Sequence, residues 1–173
     1  MRVPFIASWA KEGKTNPFKI ARNHLHHEQI GTVMDIYSTI VDASHSSSSA
    51  KHPVDGISLL PQLSGKNNKE RHDHFMCHFP HSHRSSYFTS FRKADWKIIY
   101  RYLTNGGKRK SKDPLPKYEL YNLKNDPFET KNLALKNIKK TNDMIRLMSK
   151  QLERENALFP VRDDLELRPQ LIK

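Results

Sequence analysis

The segment 118–134 constrains the fold of this chain most, because it combines a strand-forming run with a turn and a capping pattern. Residues 118–123 are aromatic and branched, a composition that suits a pleated surface. After a short polar turn, Asp126 is a favourable N-cap and Pro127 suits the first position of a helix. Glu129 stands where it completes a capping box. The segment therefore predicts a strand, a tight turn and the start of a helix.

Four runs with strand character predict a small antiparallel sheet. Their sequential order and hairpin-like connections favour neighbouring strands that pair in turn. The third run alternates best, because its large apolar side chains share one face. The runs are residues 73–79, 87–92, 96–102 and 118–123.

Two segments have the apolar spacing of amphipathic helices. Residues 31–43 place one stripe at Val33, Ile36, Tyr37, Ile40 and Val41. Residues 137–158 place another at Ile138, Thr141, Ile145, Met148 and Leu152, with a basic outer face. We expect the second helix to close the sheet.

Residues 2–9 would place apolar side chains on both faces of a strand, which predicts a centrally buried strand. The chain has 36% hydrophobic residues and a mean hydropathy of −0.79, a low apolar content for a chain that must bury a core of its own. We expect residues 1–65 to be the tail of a larger α/β domain. Residues 66–173 are expected to form a self-contained α+β subdomain.

The formal net charge is +12, from 30 Lys and Arg against 18 Asp and Glu. Such a basic protein can bind nucleic acid, acidic lipid or sulfated glycan. The charge is spread along the chain, and its densest run is at residues 108–112. Because no RNA-recognition, zinc-finger or helix-turn-helix pattern is present, nucleic acid is a minor alternative. No apolar run approaches the roughly 20 residues of a membrane-spanning helix.

Cys77 is the single cysteine, so no intrachain disulfide can form. It stands in the apolar run 75–79, and we expect a packed strand residue rather than a reactive thiol. The first residues lack the long apolar core and the cleavage site of a signal peptide.

Six segments, in order along the chain, resemble signature segments of the sulfatase family. Two of them depart from the usual pattern, with Ser38 where proline is common and Ala94 where glycine is common. The segments are RVPFI at 2–6, MDIYSTI at 34–40, DGISLLPQL at 55–63, HFPH at 78–81, RKADWKIIY at 92–100 and the strand-turn segment at 118–134.

The resemblance implies an alkaline-phosphatase-like α/β domain followed by a smaller subdomain with an antiparallel sheet. It implies hydrolysis of sulfate esters, including those of the arylsulfatase type, and a parent protein that is often periplasmic or extracellular. The family nucleophile is a formylglycine made from Cys or Ser in a C/S-x-P-x-R motif, beside a divalent metal that is usually calcium. Cys77 is followed by HFPH and lacks this motif. We therefore assign no catalytic or metal-binding residue to this chain, and expect a C-terminal portion of a sulfatase that is inactive alone.

Ten histidines are present, many of them near residue 78. Their spacing does not complete a recognisable zinc site. The resemblance implies that HFPH lies near the mouth of the active site, as in full-length sulfatases. An anionic ester could then be contacted by His78, His81, His83 and Arg84. The other interpretation is a polar loop after a strand, with imidazoles bonded to the backbone. Both interpretations stay open for His78 and His81.

A second function from a different class is also consistent with the sequence. The excess of positive charge and the loops rich in His and Arg would suit a non-catalytic module that binds sulfated or other anionic glycans.

Overall fold

The computed structural model describes residues 4–11, 13–26, 29–47, 51, 53–81, 86–104 and 114–173. The chain divides into two compact units, Met1–Asp73 and His74–Lys173. The first unit contains α1 (Asp35–Ala43) and α2 (Leu60–Leu63). The second contains β1 (His74–Phe79), β2 (Phe88–Lys93), β3 (Trp96–Arg101), β4 (Tyr118–Asn122), α3 (Ile138–Arg154), β5 (Val161–Arg162) and β6 (Leu165–Glu166).

The predicted α+β class and the four-stranded sheet are confirmed. The strands lie in the order β1-β2-β3-β4, and each pairs antiparallel with the next. β2 and β3 are joined by Ala94 and Asp95, and Ala94 has φ of 49°. This is the left-handed region, in which a glycine carries no steric penalty. The backbone therefore explains why a glycine would suit this turn.

One face of the sheet is buried under α3. The alternation predicted for residues 96–102 is confirmed, since Ile98, Tyr100 and Tyr102 are buried. The helix contributes Thr141, Met144, Ile145, Met148 and Leu152 to the buried face. Ile138, predicted on that stripe, is instead 43% exposed in the first turn.

The start of α3 is fixed by side chains of the preceding turn. The Asn137 side chain accepts from the Lys140 amide at 3.1 Å, as an N-cap does. The Thr141 hydroxyl lies 2.9 Å from the carbonyl oxygens of Ala134 and Asn137 and can donate to either. These bonds satisfy polar groups where the loop joins the helix.

The predicted helix start at Asp126 is wrong. The Asp126 carboxylate closes a loop, accepting from the amides of Thr130 at 3.0 Å and Lys131 at 2.8 Å. Glu129 has φ of 58°, which a right-handed helix does not allow. Its carboxylate pairs with the Lys97 ammonium at 2.6 Å instead of reaching back to the cap.

The strand predicted at residues 2–9 is also not found in its described part. Residues 4–9 form no strand, and Ile6 is 89% exposed. A strand requires a neighbour for its amides and carbonyls, and no other described segment pairs with this one. The Trp9 indole donates to the Phe18 carbonyl oxygen at 3.1 Å, which makes a local turn.

Cys77 lies in β1 as predicted, but its side chain is exposed rather than packed. The strand alternates, and Met76 beside it packs against the core. Cys77 is thereby directed to the opposite face of the sheet.

The helix predicted over residues 31–43 is found as α1, which begins at Asp35, but its buried face differs from the prediction. Asp35 and Thr39 are its buried residues, whereas Val33, Tyr37 and Ile40 are exposed. The Thr39 hydroxyl accepts from the Leu59 amide at 2.9 Å, which ties α1 to the start of α2. The first unit is therefore held by a polar contact while an apolar face lies open.

Nothing in the described part of the chain is both helical and apolar over the length needed to cross a lipid bilayer.

Candidate functional site

Two connections lie at the same end of the four-stranded sheet, which we call the loop end. Their described residues are 80, 81, 86 and 87, between β1 and β2, and 102–104 and 114–117, between β3 and β4. The pairing brings them together, because the Tyr102 amide donates to the Tyr87 carbonyl oxygen at 3.0 Å. The predicted site residue His81 thus belongs to a connection whose far end, at Tyr87, meets the start of the next connection at Tyr102.

His78 precedes the loop end, and both of its ring nitrogens have protein partners. Nε2 lies 2.7 Å from the Leu158 carbonyl oxygen, so this nitrogen donates. Nδ1 lies 2.7 Å from the Thr89 hydroxyl and, in the neutral ring, accepts from it. The Thr89 oxygen in turn accepts from the Tyr102 hydroxyl at 2.7 Å. A chain of hydrogen bonds therefore joins β1, β2 and the residue that follows β3 to the segment after α3.

Burial fixes the protonation state at one end of this chain of hydrogen bonds. It raises the pKa of the Tyr102 phenol to about 12, although the hydrogen bond to Thr89 acts in the opposite direction. Tyr102 is thus a neutral donor at physiological pH. A direct contact between His78 and a substrate would break one of the two bonds at its ring, so the geometry favours a positioning role.

His81 differs from His78, because it is exposed and its ring centroid lies 4.1 Å from that of Phe79. Its imidazole lies on the surface of the loop end. His83 and Arg84 lie outside the described residues. The contact of these residues with substrate stays a prediction.

The described residues do not fit a calcium site. They contain no group of three or more His, Cys, Asp or Glu side chains able to hold a metal ion. The buried carboxylate of Asp35 is already bonded, through Oδ2 to the Thr32 amide at 2.6 Å and through Oδ1 to the Ile57 amide at 2.9 Å. Arg71 adds an ion pair at 2.9 Å.

The pKa of Asp35 reflects these partners. Burial raises it, but the amides of Ile57 and Thr32 and the Arg71 guanidinium outweigh burial and hold it below its ordinary value. Asp35 is therefore a charged structural anchor of the first unit, and its oxygens are committed to protein donors.

The opposite face of the sheet carries a second set of charged side chains. Arg101 pairs with Glu119, which also accepts from the Tyr121 hydroxyl, and Lys97 pairs with Glu129. Burial and the neighbouring Glu119 raise the pKa of Tyr121. The two sets are bonded within β3, β4 and the segment after β4, so we interpret them as structural.

The structure contains a cavity of about 410 Å³ at the loop end, which the sequence did not indicate. Its lining includes two basic side chains, Lys117 just before β4 and Arg162 in β5. β5 and β6 have two residues each, too few for any periodicity to be visible. The sequence signal for this hairpin is the pair of consecutive aspartates between its strands, Asp163 and Asp164, because aspartate tolerates the left-handed turn region.

Comparisons with known proteins agree with this fold. Residues 1–157 match the family model described as N-sulphoglucosamine sulphohydrolase, C-terminal. A protein from Bacteroides thetaiotaomicron VPI-5482 assigned as a sulfatase has 25% identity and a TM-score of 0.53 over 70% of this chain. A 2-O GAG sulfatase has 25% identity and a TM-score of 0.52 over 70%.

The phosphonate monoester hydrolase of Agrobacterium radiobacter shares the fold, with 20% identity and a TM-score of 0.52 over 76% of this chain. The chain spans only 24%, 24% and 26% of these three proteins, in the order given. No curated protein sequence is significantly similar to it. Since the family model covers most of the chain, the chain belongs to the C-terminal family of N-sulphoglucosamine sulphohydrolase, among the sulfatases, whose family reaction is hydrolysis of sulfate esters.

Proposed function

We propose that this chain is the C-terminal part of a sulfatase that acts on a sulfated sugar, and that it does not hydrolyse sulfate esters alone. The observation that carries the proposal is the match of residues 1–157 to a C-terminal family model. The chain also spans 24% of the length of a 2-O GAG sulfatase. Residues 1–65 would complete a larger α/β domain, and residues 66–173 would form its subdomain.

The chemistry of the reaction supports a division of labour. Ester hydrolysis of this kind needs a nucleophile and a positive group that offsets developing negative charge. The sequence contains no C/S-x-P-x-R motif from which formylglycine is made. The described residues offer no cluster for calcium. Both groups would therefore belong to an N-terminal portion of the kind that the longer relatives carry.

The exposed apolar face of α1 supports docking of such a portion. Val33, which lies just before α1, and Tyr37 and Ile40 within it follow helical spacing and are 80%, 51% and 62% exposed. An amphipathic helix usually packs its apolar stripe against another element. We infer that this stripe is covered by the N-terminal portion in the active sulfatase.

The loop end would supply contacts to the substrate. His81, together with His83 and Arg84, which follow it in the sequence, offers donors suited to an anionic ester. His78 would hold the strand that leads into this loop through its two hydrogen bonds. An aryl sulfate would reach the same loop as a smaller substrate.

Sulfate release distinguishes the two parts of the proposal. The chain alone, with calcium, is expected to release no sulfate from an aryl sulfate or from N-sulphoglucosamine. Addition of an N-terminal sulfatase portion is expected to start release. A phosphonate monoester is assayed in parallel, because the phosphonate monoester hydrolase shares the fold. Preference for the phosphonate would contradict the proposed substrate class.

A pair of variants tests the docking face. Ile40→Asp places a charge on the stripe and is expected to abolish complemented activity without unfolding the chain. Leu135→Asp is the matched control, because Leu135 is also strongly exposed but lies in the turn before α3. Equal activity of the two variants would contradict docking through α1, and hydrolysis by the chain alone would contradict the division of labour.

A further inference from the structure

We propose that the cavity lined by Lys117 and Arg162 binds an anionic substituent of a glycan, at a sugar other than the one whose ester is hydrolysed. The proposal rests on the proposed function for the choice of a sulfated glycan as ligand. It adds a second point of attachment, through which the chain would select a longer sugar over a single one.

The size and lining of the cavity suit one substituted sugar ring. Its volume of about 410 Å³ lies within the range of small-molecule sites. Its lining residues are the basic Lys117 and Arg162, the hydroxyl-bearing Thr104, and Tyr102 and Leu103. Two cations beside a hydroxyl group are donors that a sulfate or carboxylate accepts from.

The ammonium of Lys117 is held in place by neutral partners. It donates to the Gln170 side-chain oxygen at 2.8 Å and lies 5.7 Å from the ring centroids of Tyr100 and Tyr118. Among the described residues, no carboxylate pairs with it. Its full charge therefore remains available to an anion, while its position is fixed.

Asp163 competes only weakly with a ligand anion for the guanidinium of Arg162. Its Nε lies 3.5 Å from an Asp163 carboxylate oxygen, and both side chains are strongly exposed. Such a surface pair contributes little. The two terminal nitrogens of Arg162 have no partner within the described ranges, so a ligand anion can bind them in the forked geometry that arginine offers.

The wall that carries Arg162 is anchored to the sheet. Asp163 and Asp164, with φ of 52° and 61°, form the tight turn of the hairpin β5–β6. The Leu167 amide closes its base by donating to the Pro160 carbonyl oxygen at 2.8 Å. Two residues before Pro160, the Leu158 carbonyl oxygen accepts from His78. The hairpin is thus fixed beside the loop end before any ligand binds.

A sugar fits this cavity better than a nucleic acid. Binding of single strands relies on exposed aromatic rings on which bases stack. Tyr102, the aromatic residue of the lining, is only 7% exposed and its hydroxyl group is bonded to Thr89. The cavity therefore offers charge and a hydroxyl group without a stacking platform.

The test is calorimetric titration of the 173-residue chain with a heparin-derived tetrasaccharide, at fixed salt concentration. Arg162→Gln and Lys117→Gln are each expected to weaken binding about tenfold, as expected when one charge-assisted contact is lost. Arg146→Gln is the matched control, because Arg146 is also exposed and pairs with an adjacent aspartate, Asp143, at 3.0 Å. It removes the same charge from α3 and is expected to change affinity less than twofold.

Equal losses in Arg162→Gln and Arg146→Gln would overturn the site, since binding would then follow net charge alone. Displacement of the tetrasaccharide by single-stranded DNA at equal charge concentration would overturn it as well. Arg162→Gln alters an exposed side chain, so its result does not depend on folding. Loss of binding with a desulfated tetrasaccharide would assign sulfate as the bound group, and retained binding would assign the carboxylate.

The titration separates this site from the proposed function, because it involves no hydrolysis. A chain that binds through Arg162 and Lys117 but cannot be complemented contradicts the proposed function and leaves the site intact. A chain that is complemented, but whose two cavity variants bind like the wild type, contradicts the site alone.

Discussion

At the scale of the residue, position 56 requires glycine, because the backbone of Met34 approaches it closely. A Cβ atom at this position would lie 2.1 Å from the Met34 carbonyl oxygen, a contact that only a backbone shift can relieve. The Ser38 hydroxyl donates to the Gly56 carbonyl oxygen at 2.7 Å and holds this geometry. The glycine of the segment 55–63 is therefore required by packing against the start of α1.

We expect Gly56→Ala to lower the free energy of unfolding by about 2 kcal/mol, as overpacking does. The measurement is the urea midpoint of the variant against wild type. Gly31→Ala is the control, because its Cβ would make an ordinary 3.5 Å contact with Leu59. A loss of similar size at both positions would contradict the argument.

Ala94 gives a prediction of opposite sign. Its φ of 49° is strained for an L-residue, so Ala94→Gly is expected to stabilise the second unit by about 1 kcal/mol. Thermal unfolding measures the gain. Ala94→Val, which adds a branched side chain at the same φ, should lower the midpoint, and a destabilising glycine would refute the assignment of strain.

At the scale of the element, α3 shows which capping signal decides where a helix begins. Aspartate and asparagine both favour the N-cap position, yet the helix begins after Asn137 and not after Asp126. The left-handed conformation of Glu129 ends any helical path after Asp126, and none of residues 127–132 is buried, so no core-facing stripe follows directly. Residues Thr141, Ile145 and Met148 provide that stripe after Asn137. Helices of this length gain most of their stability from such packing.

Asn137→Ala should therefore destabilise the second unit by about 1 kcal/mol, the usual loss for a removed N-cap. The helical circular dichroism signal, followed through urea unfolding, reports it. Asn137→Asp keeps an acceptor for the Lys140 amide and should restore most of the stability. If the alanine variant unfolded like wild type, the cap would not determine the start of α3.

At the scale of the whole molecule, the buried tyrosines of the second unit predict sensitivity to alkali. Burial raises the pKa of Tyr102 to about 12, and it also raises the pKa values of Tyr100 and Tyr121. A raised folded-state pKa stabilises the fold fully below the unfolded value near 10, and this contribution is lost as pH rises towards 12. The free energy of unfolding should therefore fall between pH 10 and 12.

Tyr102→Phe tests this at one residue. It removes the titrating phenol, so the fall should become shallower by up to about 1.4 kcal/mol per pH unit. Urea unfolding at pH 8, 10, 11 and 12 gives both curves. If the free energies of unfolding of the variant and the wild type fell in parallel with pH, ionisation of Tyr102 would not contribute to the pH dependence of stability.

The sequence by itself determined the features that are set locally. The alternation of Ile98 and Tyr100, the stripe of α3 and the four strands could be predicted, because a strand repeats every two residues and a helix every 3.6. The same periodicity located α1 but assigned Val33 and Ile40 to the buried face. Which face of a helix is covered depends on its neighbours, and Asp35 with its partner Arg71 decided it.

Only the tertiary structure decided the candidate sites. The partners of His78 lie 11 and 80 residues away, so no local pattern indicates that both of its ring nitrogens are occupied. Lys117 and Arg162 likewise share a cavity because strand pairing and the C-terminal hairpin bring them to one end of the sheet. Periodicity acts between residues a few positions apart, whereas a site depends on contacts between distant segments that exist only once the chain has folded.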